Sequence, residues 1–87
     1  MDRPEVIGGR LKALRLALGY RQAKAFCDFI GATDTAWNNW EHGRRTVPID
    51  VASRLALRTG ASLDWIYHGF GHALPVHLAE KLRQVDA

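Results

Sequence analysis

Residues 31–43, GATDTAWNNWEHG, predict a short helix that is closed at both ends. Thr33 has the side chain of a helix N-cap, because its hydroxyl can accept a hydrogen bond from a free N–H group of the next turn. Asp34 places a negative charge where the helix dipole favours one, and Gly43 can adopt the left-handed conformation that ends many helices. The stretch is therefore a helix with its own start and stop signals.

The predicted helix has two chemically different faces. Helical spacing places three apolar residues on one stripe, namely Ala36, Trp37 and Trp40. The opposite face then carries four small polar side chains, namely Asp34, Thr35, Asn38 and Asn39. Amide and hydroxyl groups on an exposed helix can hydrogen-bond to the edges of nucleic-acid bases. The pattern favours a helix that packs through its tryptophans and reads bases with its polar face.

Two helices are predicted before this one. Apolar spacing places the first from about Val6 to Leu18, with Pro4 in its first turn, and the second from about Gln22 to Phe29. Gly8 and Gly9 each disfavour a helix interior, so we expect the opening turns of the first helix to fray. Only two or three residues join the second helix to the third, about Thr33 to His42, which forces the steep crossing of a helix-turn-helix.

Two more helices are predicted after an exposed loop. The fourth begins at Ile49 and ends near Gly60, and the fifth spans Leu63 to His68 behind a Ser62 cap. From Gly69 onward, glycines and a proline interrupt helicity before a weak apolar stripe formed by Leu78, Leu82 and Val85. Such a stripe packs on the domain, pairs with a second copy or stays disordered. We therefore divide the chain into a domain, 1–69, and a tail, 70–87, that is a candidate short helix or dimerisation element.

Length and charge point to a single domain with an anionic partner. The chain has 87 residues, which predicts one domain without a separate ligand-sensing or cleavage domain. Its net charge is +3, and nine of its twelve Lys and Arg residues lie between Arg10 and Arg58. Arg44 and Arg45 directly follow the predicted third helix. This placement favours a polyanionic partner, with a solvated surface as the alternative.

Several classes of function lack support in the sequence. The one cysteine, Cys27, lies on a predicted apolar helix face, which predicts a buried thiol and no disulfide, and no long apolar span predicts a membrane segment. Four histidines invite a metal or catalytic reading: His42, His68, His72 and His77. Glycines break the helix that would join His68 to His72, and no nucleophile has a base beside it. We expect a cytoplasmic protein that is not an enzyme and has no metal, cofactor or small-molecule ligand.

The order of these motifs resembles the Cro/repressor-like helix-turn-helix family, also called the XRE family, over about residues 6–69. The matching segments are RLKALR, KAFCDFIG, ATDTAWNNWEHG and GASLDWIYHG, with the loop lengths between them preserved. The resemblance implies an all-α, five-helix, lambda-repressor-like DNA-binding domain. It also implies a transcriptional regulator, a repressor, that binds double-stranded DNA as a homodimer.

The resemblance assigns base contacts to the outward residues of the third helix. These are Asp34, Thr35, Asn38 and Asn39. Asn39 is the first choice, because its amide can pair bidentately with adenine, whereas Asn38 would reach either a base edge or a phosphate. Asp34 either accepts a bond from cytosine N4 or only stabilises the first turn.

Phosphate contacts are assigned in the same way to residues around that helix. They are Arg21, Gln22, Lys24, Thr33, Arg44 and Arg45. The second helix of this family usually opens with a phosphate-binding Gln, but Ala23 occupies that position here and Gln22 stands one residue early. Either Gln22 substitutes, or Arg21 or Lys24 compensates for the lost contact.

Two further inferences follow from the resemblance. Arg15 and Glu41 match an internal ion pair that links the first helix to the end of the third, so they are assigned to structure. The rival function is a protein-interaction module, antitoxin-like or regulator-binding, that keeps the fold and binds DNA weakly or not at all. Ala23 and Asp34 are the residues that favour this rival.

Overall fold

Six α-helices form the part of the chain described by a computed structural model, residues 1–86. They are α1 (Pro4–Ala17), α2 (Ala23–Ile30), α3 (Asp34–Glu41), α4 (Ile49–Thr59), α5 (Leu63–His68) and α6 (Val76–Asp86). The predicted all-α class is confirmed, and the sixth helix forms within the predicted tail, whose last residue lies outside the described range. None of the helices within residues 1–86 is long and apolar enough to cross a membrane.

Helix α1 begins earlier than its sequence pattern predicts. It starts at Pro4, and it continues through Gly8 and Gly9 without the expected fraying. Gly8 is required by tertiary packing, because a Cβ atom there would lie 2.5 Å from the backbone oxygen of Glu41. The glycine that weakens the helix locally therefore allows the C-terminal end of α3 to approach α1 closely.

Helices α2 and α3 form the predicted helix-turn-helix with small shifts in their bounds. Gln22 is the N-cap of α2 rather than its first residue, and α2 ends at Ile30, one residue later than predicted. Gly31 follows in the left-handed conformation, with φ of 76°. Thr33 and His42, the predicted ends of the third helix, are the N-cap and C-cap of α3.

Helix α4 holds the end of α2 in place. The Nη1 atom of Arg54 donates hydrogen bonds to the carbonyl oxygens of Ile30 and Gly31 over 3.1 and 2.9 Å. Arg58 Nη1 donates to the Phe29 carbonyl oxygen over 2.8 Å. Charged donors thus satisfy the carbonyl groups that a helix end leaves free, and they fix the turn that leads into α3.

All six helices contribute to one apolar core. Each supplies at least one side chain that is at most 1% exposed, for example Leu11, Phe26, Trp37, Leu55, Ile66 and Leu78. Cys27 is part of this core, as predicted. Burial, followed by the nearby Asp34 carboxylate, raises the pKa of Cys27 to about 11. The thiol is therefore uncharged at neutral pH and packs as a small apolar group.

Helix α6 packs on the domain, which is one of the three alternatives left open for the apolar stripe of the tail. Leu78 and Leu82 are buried, and α6 packs against α1. The tail therefore packs on the domain and completes its core.

Candidate nucleic-acid interface

The outward face of α3 carries the polar residues that the sequence assigns to it. Asp34, Thr35 and Asn38 are exposed and Asn39 is half-buried, while Trp37 on the opposite face is fully buried. The edge of the Trp37 ring packs against Phe26 of α2, with ring centroids 5.1 Å apart. One side of α3 therefore anchors the helix-turn-helix, and the other side is open to a partner.

The N-terminal end of α3 is capped by a side chain. Thr33 Oγ1 accepts a hydrogen bond from the backbone N–H of Ala36 over 3.1 Å. Because the hydroxyl is used here as an acceptor, its hydrogen remains available to donate to an anionic oxygen. One side chain can thus stabilise the helix and contact a partner.

At the C-terminal end of α3, the backbone brings Arg44 and Asn39 together. Gly43 has φ of 75°, and the backbone N–H of Arg44 donates to the Asn39 carbonyl oxygen over 2.9 Å. The turn also brings Arg44 Nη1 to 3.5 Å from Asn39 Oδ1. The guanidinium group therefore lies beside the amide that is the first candidate for base contact.

A buried network fixes α3 to the rest of the fold. Arg15 Nη2 donates to Glu41 Oε1 over 2.8 Å, and the indole Nε1 of Trp37 donates to Glu41 Oε2 over 2.5 Å. Arg15 Nη1 also donates to the carbonyl oxygens of Tyr20 and Arg21 over 2.7 and 2.6 Å. One guanidinium group thus connects α1, the segment that leads into α2, and the end of α3.

A shallow groove separates the start of α2 from the outward face of α3. Gln22, Ala23 and Lys24 lie along one side, and Asp34 and Asn38 lie along the other. The methyl group of Ala23 is small, so the groove remains open where a longer side chain would fill it.

Seven of the nine central basic residues fall into two groups; of the other two, Arg44 contacts Asn39 and Lys12 is exposed on α1. Four of them bond to other parts of the fold, namely Arg10, Arg15, Arg54 and Arg58. The side chains of Arg21, Lys24 and Arg45 are exposed and make no ion pair or hydrogen bond within residues 1–85. Two of these cations lie at the start of α2 and one follows α3, so positive charge without an internal partner flanks the polar face of α3.

The sequence predicted Arg54 and Arg58 as part of the positive surface charge. It did not predict that they bind the carbonyl groups at the C-terminal end of α2. Their spacing of four residues on α4 indicated a shared helix face. It did not indicate which carbonyl groups that face would meet.

Three of the four histidines have local contacts. His42 Nδ1 lies 2.9 Å from the Asn38 carbonyl oxygen, and the ring of His68 stacks on Phe70 with centroids 5.6 Å apart. Phe70 also lies next to the ring of His72, 6.4 Å away. Among the side chains described, residues 1–85, no cluster of three His, Cys, Asp or Glu residues is arranged to hold a metal ion.

Comparison with models of known protein families gives a match over most of the chain. The family model described as the bacteriophage CI repressor helix-turn-helix domain matches residues 9–73. This range contains most of α1 and all of α2 to α5, and it ends before α6. No curated protein and no solved structure matches the chain.

Proposed function

The chain belongs to the bacteriophage CI repressor helix-turn-helix domain family, and on this premise we propose that it is a sequence-specific repressor that reads the major groove of double-stranded DNA with α3. The polar outward face of α3, with cations at the start of α2 and after α3 that have no partner within residues 1–85, is the observation that carries the proposal. Major-groove readout needs hydrogen-bonding side chains on a rigid helix, and positive charge beside it binds the phosphates.

Base recognition is assigned to the polar face of α3. Asn39 is the principal reader, because its amide can donate to N7 of adenine and accept from N6. Thr35 offers a hydroxyl and a methyl group near the N-terminal end of the helix, and Asn38 reaches a base edge or a phosphate. Asp34 either accepts a hydrogen bond from cytosine N4 or only stabilises the first turn of α3. In both cases its carboxylate helps to raise the pKa of the buried Cys27 thiol.

Phosphate contacts are assigned to the two ends of the helix-turn-helix. Arg21, Gln22 and Lys24 lie at the start of α2, where Ala23 leaves the groove open to an approaching DNA strand. Thr33, Arg44 and Arg45 flank α3. These contacts would supply affinity and register, because phosphates carry no base sequence.

A homodimer and a cytoplasmic location complete the proposal. One eight-residue helix contacts only a few base pairs, whereas two copies on a two-fold site multiply the specificity. A protein that represses transcription must also share a compartment with its DNA, and for a protein of this family that compartment is the cytoplasm.

A titration on duplex DNA tests the proposal. The preferred site is first selected from a pool of random duplexes, and its Kd is measured beside that of bulk DNA at about 50 and about 200 mM salt. We expect the selected site to bind at least about 10³-fold more tightly than bulk DNA, and both affinities to fall steeply with salt.

Two variants provide a matched comparison. Arg45→Ala should weaken binding to every sequence, whereas Lys12→Ala removes an exposed cation on α1 and should bind like the wild type. If neither DNA binds at low salt, the chain is instead a protein-interaction module that keeps the fold. If all DNA sequences bind equally, the chain binds DNA without sequence specificity.

A further inference from the structure

A second groove lies between α1 and α6. It has a volume of about 590 Å³, which is within the range of sites for small organic ligands. Its lining is mostly apolar and includes Val6, Gly9, Ala13, Leu74, Leu82 and Arg83. We call it the α1–α6 groove.

Gly9 in this groove has no packing role among the described residues. A Cβ atom at Gly9 would meet nothing within 4 Å, whereas one at its neighbour Gly8 would collide with the end of α3. Glycine weakens a helix interior relative to alanine, a cost that a functional use of the glycine can offset. Close approach of a bound molecule to the backbone is such a use, and Gly9 lies on the groove wall.

The charge of the α1–α6 groove favours an anion. Arg83 lines it, is exposed, and makes no ion pair or side-chain hydrogen bond within residues 1–85. The second cation in the lining, Arg10, binds Asp2 and the Ile66 carbonyl oxygen. No Asp or Glu side chain of residues 1–85 is part of the lining. An apolar surface with one guanidinium group that has no partner within that range matches a ligand with an apolar body and one negative charge.

One wall of the groove lies outside the residues that the family model matches. Ala79, Leu82 and Arg83 belong to α6, which follows the matched residues 9–73. Membership of the family therefore does not by itself account for this groove.

We propose that the α1–α6 groove binds a small amphipathic anion, a molecule with an apolar chain or ring and one carboxylate. The apolar part lies along α1 over Gly9 and Ala13, and the carboxylate pairs with Arg83. This site is separate from the polar face of α3, so the proposal goes beyond DNA binding and does not rest on it.

Decanoate is a suitable probe, and amide chemical shifts are the readout. Titration below the micelle concentration should give saturable shifts that cluster at Gly9, Ala13 and Arg83. Decanol keeps the chain without the charge and should bind at least about tenfold more weakly, because it loses the charge-assisted hydrogen bond. Acetate keeps the charge without the chain and should give no saturable shift.

Two variants separate binding from folding. Gly9→Leu fills the groove and replaces glycine with a strong helix former, so it should abolish decanoate binding while the urea midpoint stays equal or rises. Arg83→Gln changes an exposed side chain and should reduce the affinity for decanoate about tenfold without changing that for decanol. Unchanged decanoate binding by either variant would overturn the proposal, as would shifts scattered over the whole surface.

A second copy of the chain is the competing occupant, and sedimentation tests for it. We expect Gly9→Leu to leave the oligomeric state of the protein unchanged. If the wild type dimerises and Gly9→Leu is monomeric, the α1–α6 groove is a subunit interface and the small-anion proposal fails.

Discussion

Arg15 of α1 and Glu41 at the end of α3 form an ion pair of 2.8 Å in which the two side chains are only 9% and 7% exposed. Glu41 also accepts from the Trp37 indole with its second oxygen, whereas the buried Nε of Arg15 has no hydrogen-bond partner within residues 1–85. The pair is thus shielded from water, and the position of α3 depends on both partners. Removing one partner leaves a charge that nothing nearby neutralises.

Glu41→Gln should therefore destabilise the protein strongly. We expect the free energy of unfolding, measured with urea, to fall by about 3–5 kcal/mol, because the Arg15 charge stays buried without a counter-charge. Glu5→Gln is the matched control, since Glu5 pairs with Arg3 at the exposed surface. It should change the stability by less than about 1 kcal/mol. Equal losses in the two variants would show that burial of the Arg15–Glu41 pair has no energetic importance.

Adjacent glycines of α1 should respond in opposite directions to alanine. Gly8→Ala drives a methyl group into the Trp40 and Glu41 carbonyl oxygens, at 2.6 and 2.5 Å, and should cost about 3 kcal/mol. Gly9→Ala meets open space and should raise the free energy of unfolding by about 0.5–1 kcal/mol. Thermal and urea unfolding of both variants measures the difference. A stabilising Gly8→Ala would contradict the close crossing of α1 and α3.

The buried thiol of Cys27 should make the fold sensitive to alkali. Its pKa is raised from 9.0 to about 11, so between these pH values the unfolded chain loses the thiol proton before the folded protein does. The native state then holds more protons, and stability falls as pH rises. We expect the Cys27 contribution to drop by about 2 kcal/mol at pH 10.5 relative to pH 8.

Cys27→Ala isolates this contribution from that of other groups. The pKa of Tyr67 is also raised, by burial and then by Asp50, so this residue also lowers the stability at high pH. Its contribution is the same in the wild type and in Cys27→Ala and cancels in the comparison. The stability gap between wild type and Cys27→Ala should therefore narrow from pH 8 to pH 10.5. A gap that stays constant would mean that the thiol titrates normally in the folded state.

Asn39 and Arg44 should have different effects on DNA binding. Asn39→Ala should relax the preference at one base pair and cost roughly 1–3 kcal/mol at the selected site. Arg44→Ala should weaken binding to all sequences. It should also reduce the slope of the logarithm of the binding constant against the logarithm of the salt concentration by about one unit. Because Arg44 Nη1 lies 3.5 Å from Asn39 Oδ1, the double variant should lose less than the sum of the single losses.

Binding titrations of the three variants on matched and single-mismatch duplexes provide the data. If Asn39→Ala weakens all duplexes equally, Asn39 contacts the backbone, and base readout belongs to other residues of α3.

Local signals were enough to predict the central helices. Thr33 caps α3 and Gly43 follows its end in the left-handed conformation, and both features depend only on the neighbouring backbone. The same is true of Ser62, whose hydroxyl accepts from the N–H of Trp65 at the start of α5. Such helices can be located from a single sequence because their boundaries are encoded within a few residues.

Features that depend on distant segments were not predictable in this way. The need for glycine at position 8 comes from the carbonyl groups of α3, and α6, which carries Leu78, packs on α1. The bonds from Arg54 to the end of α2 join residues 23 and 24 positions apart. The polar face of α3 was predictable as a surface, but the proximity of Arg44 to Asn39 required the folded turn.

Helix α1 packs against α3, α5 and α6, so one helix is buried by elements from three parts of the chain. Because α6 supplies core side chains from outside the residues matched by the family, its detachment would expose α1 to water on one side. Opening of α6 would therefore remove packing from α1, the helix that also positions α3 through Gly8 and Arg15. The placement of the proposed reading helix thus depends in part on a helix that it does not contact in the chain's main helix pairs.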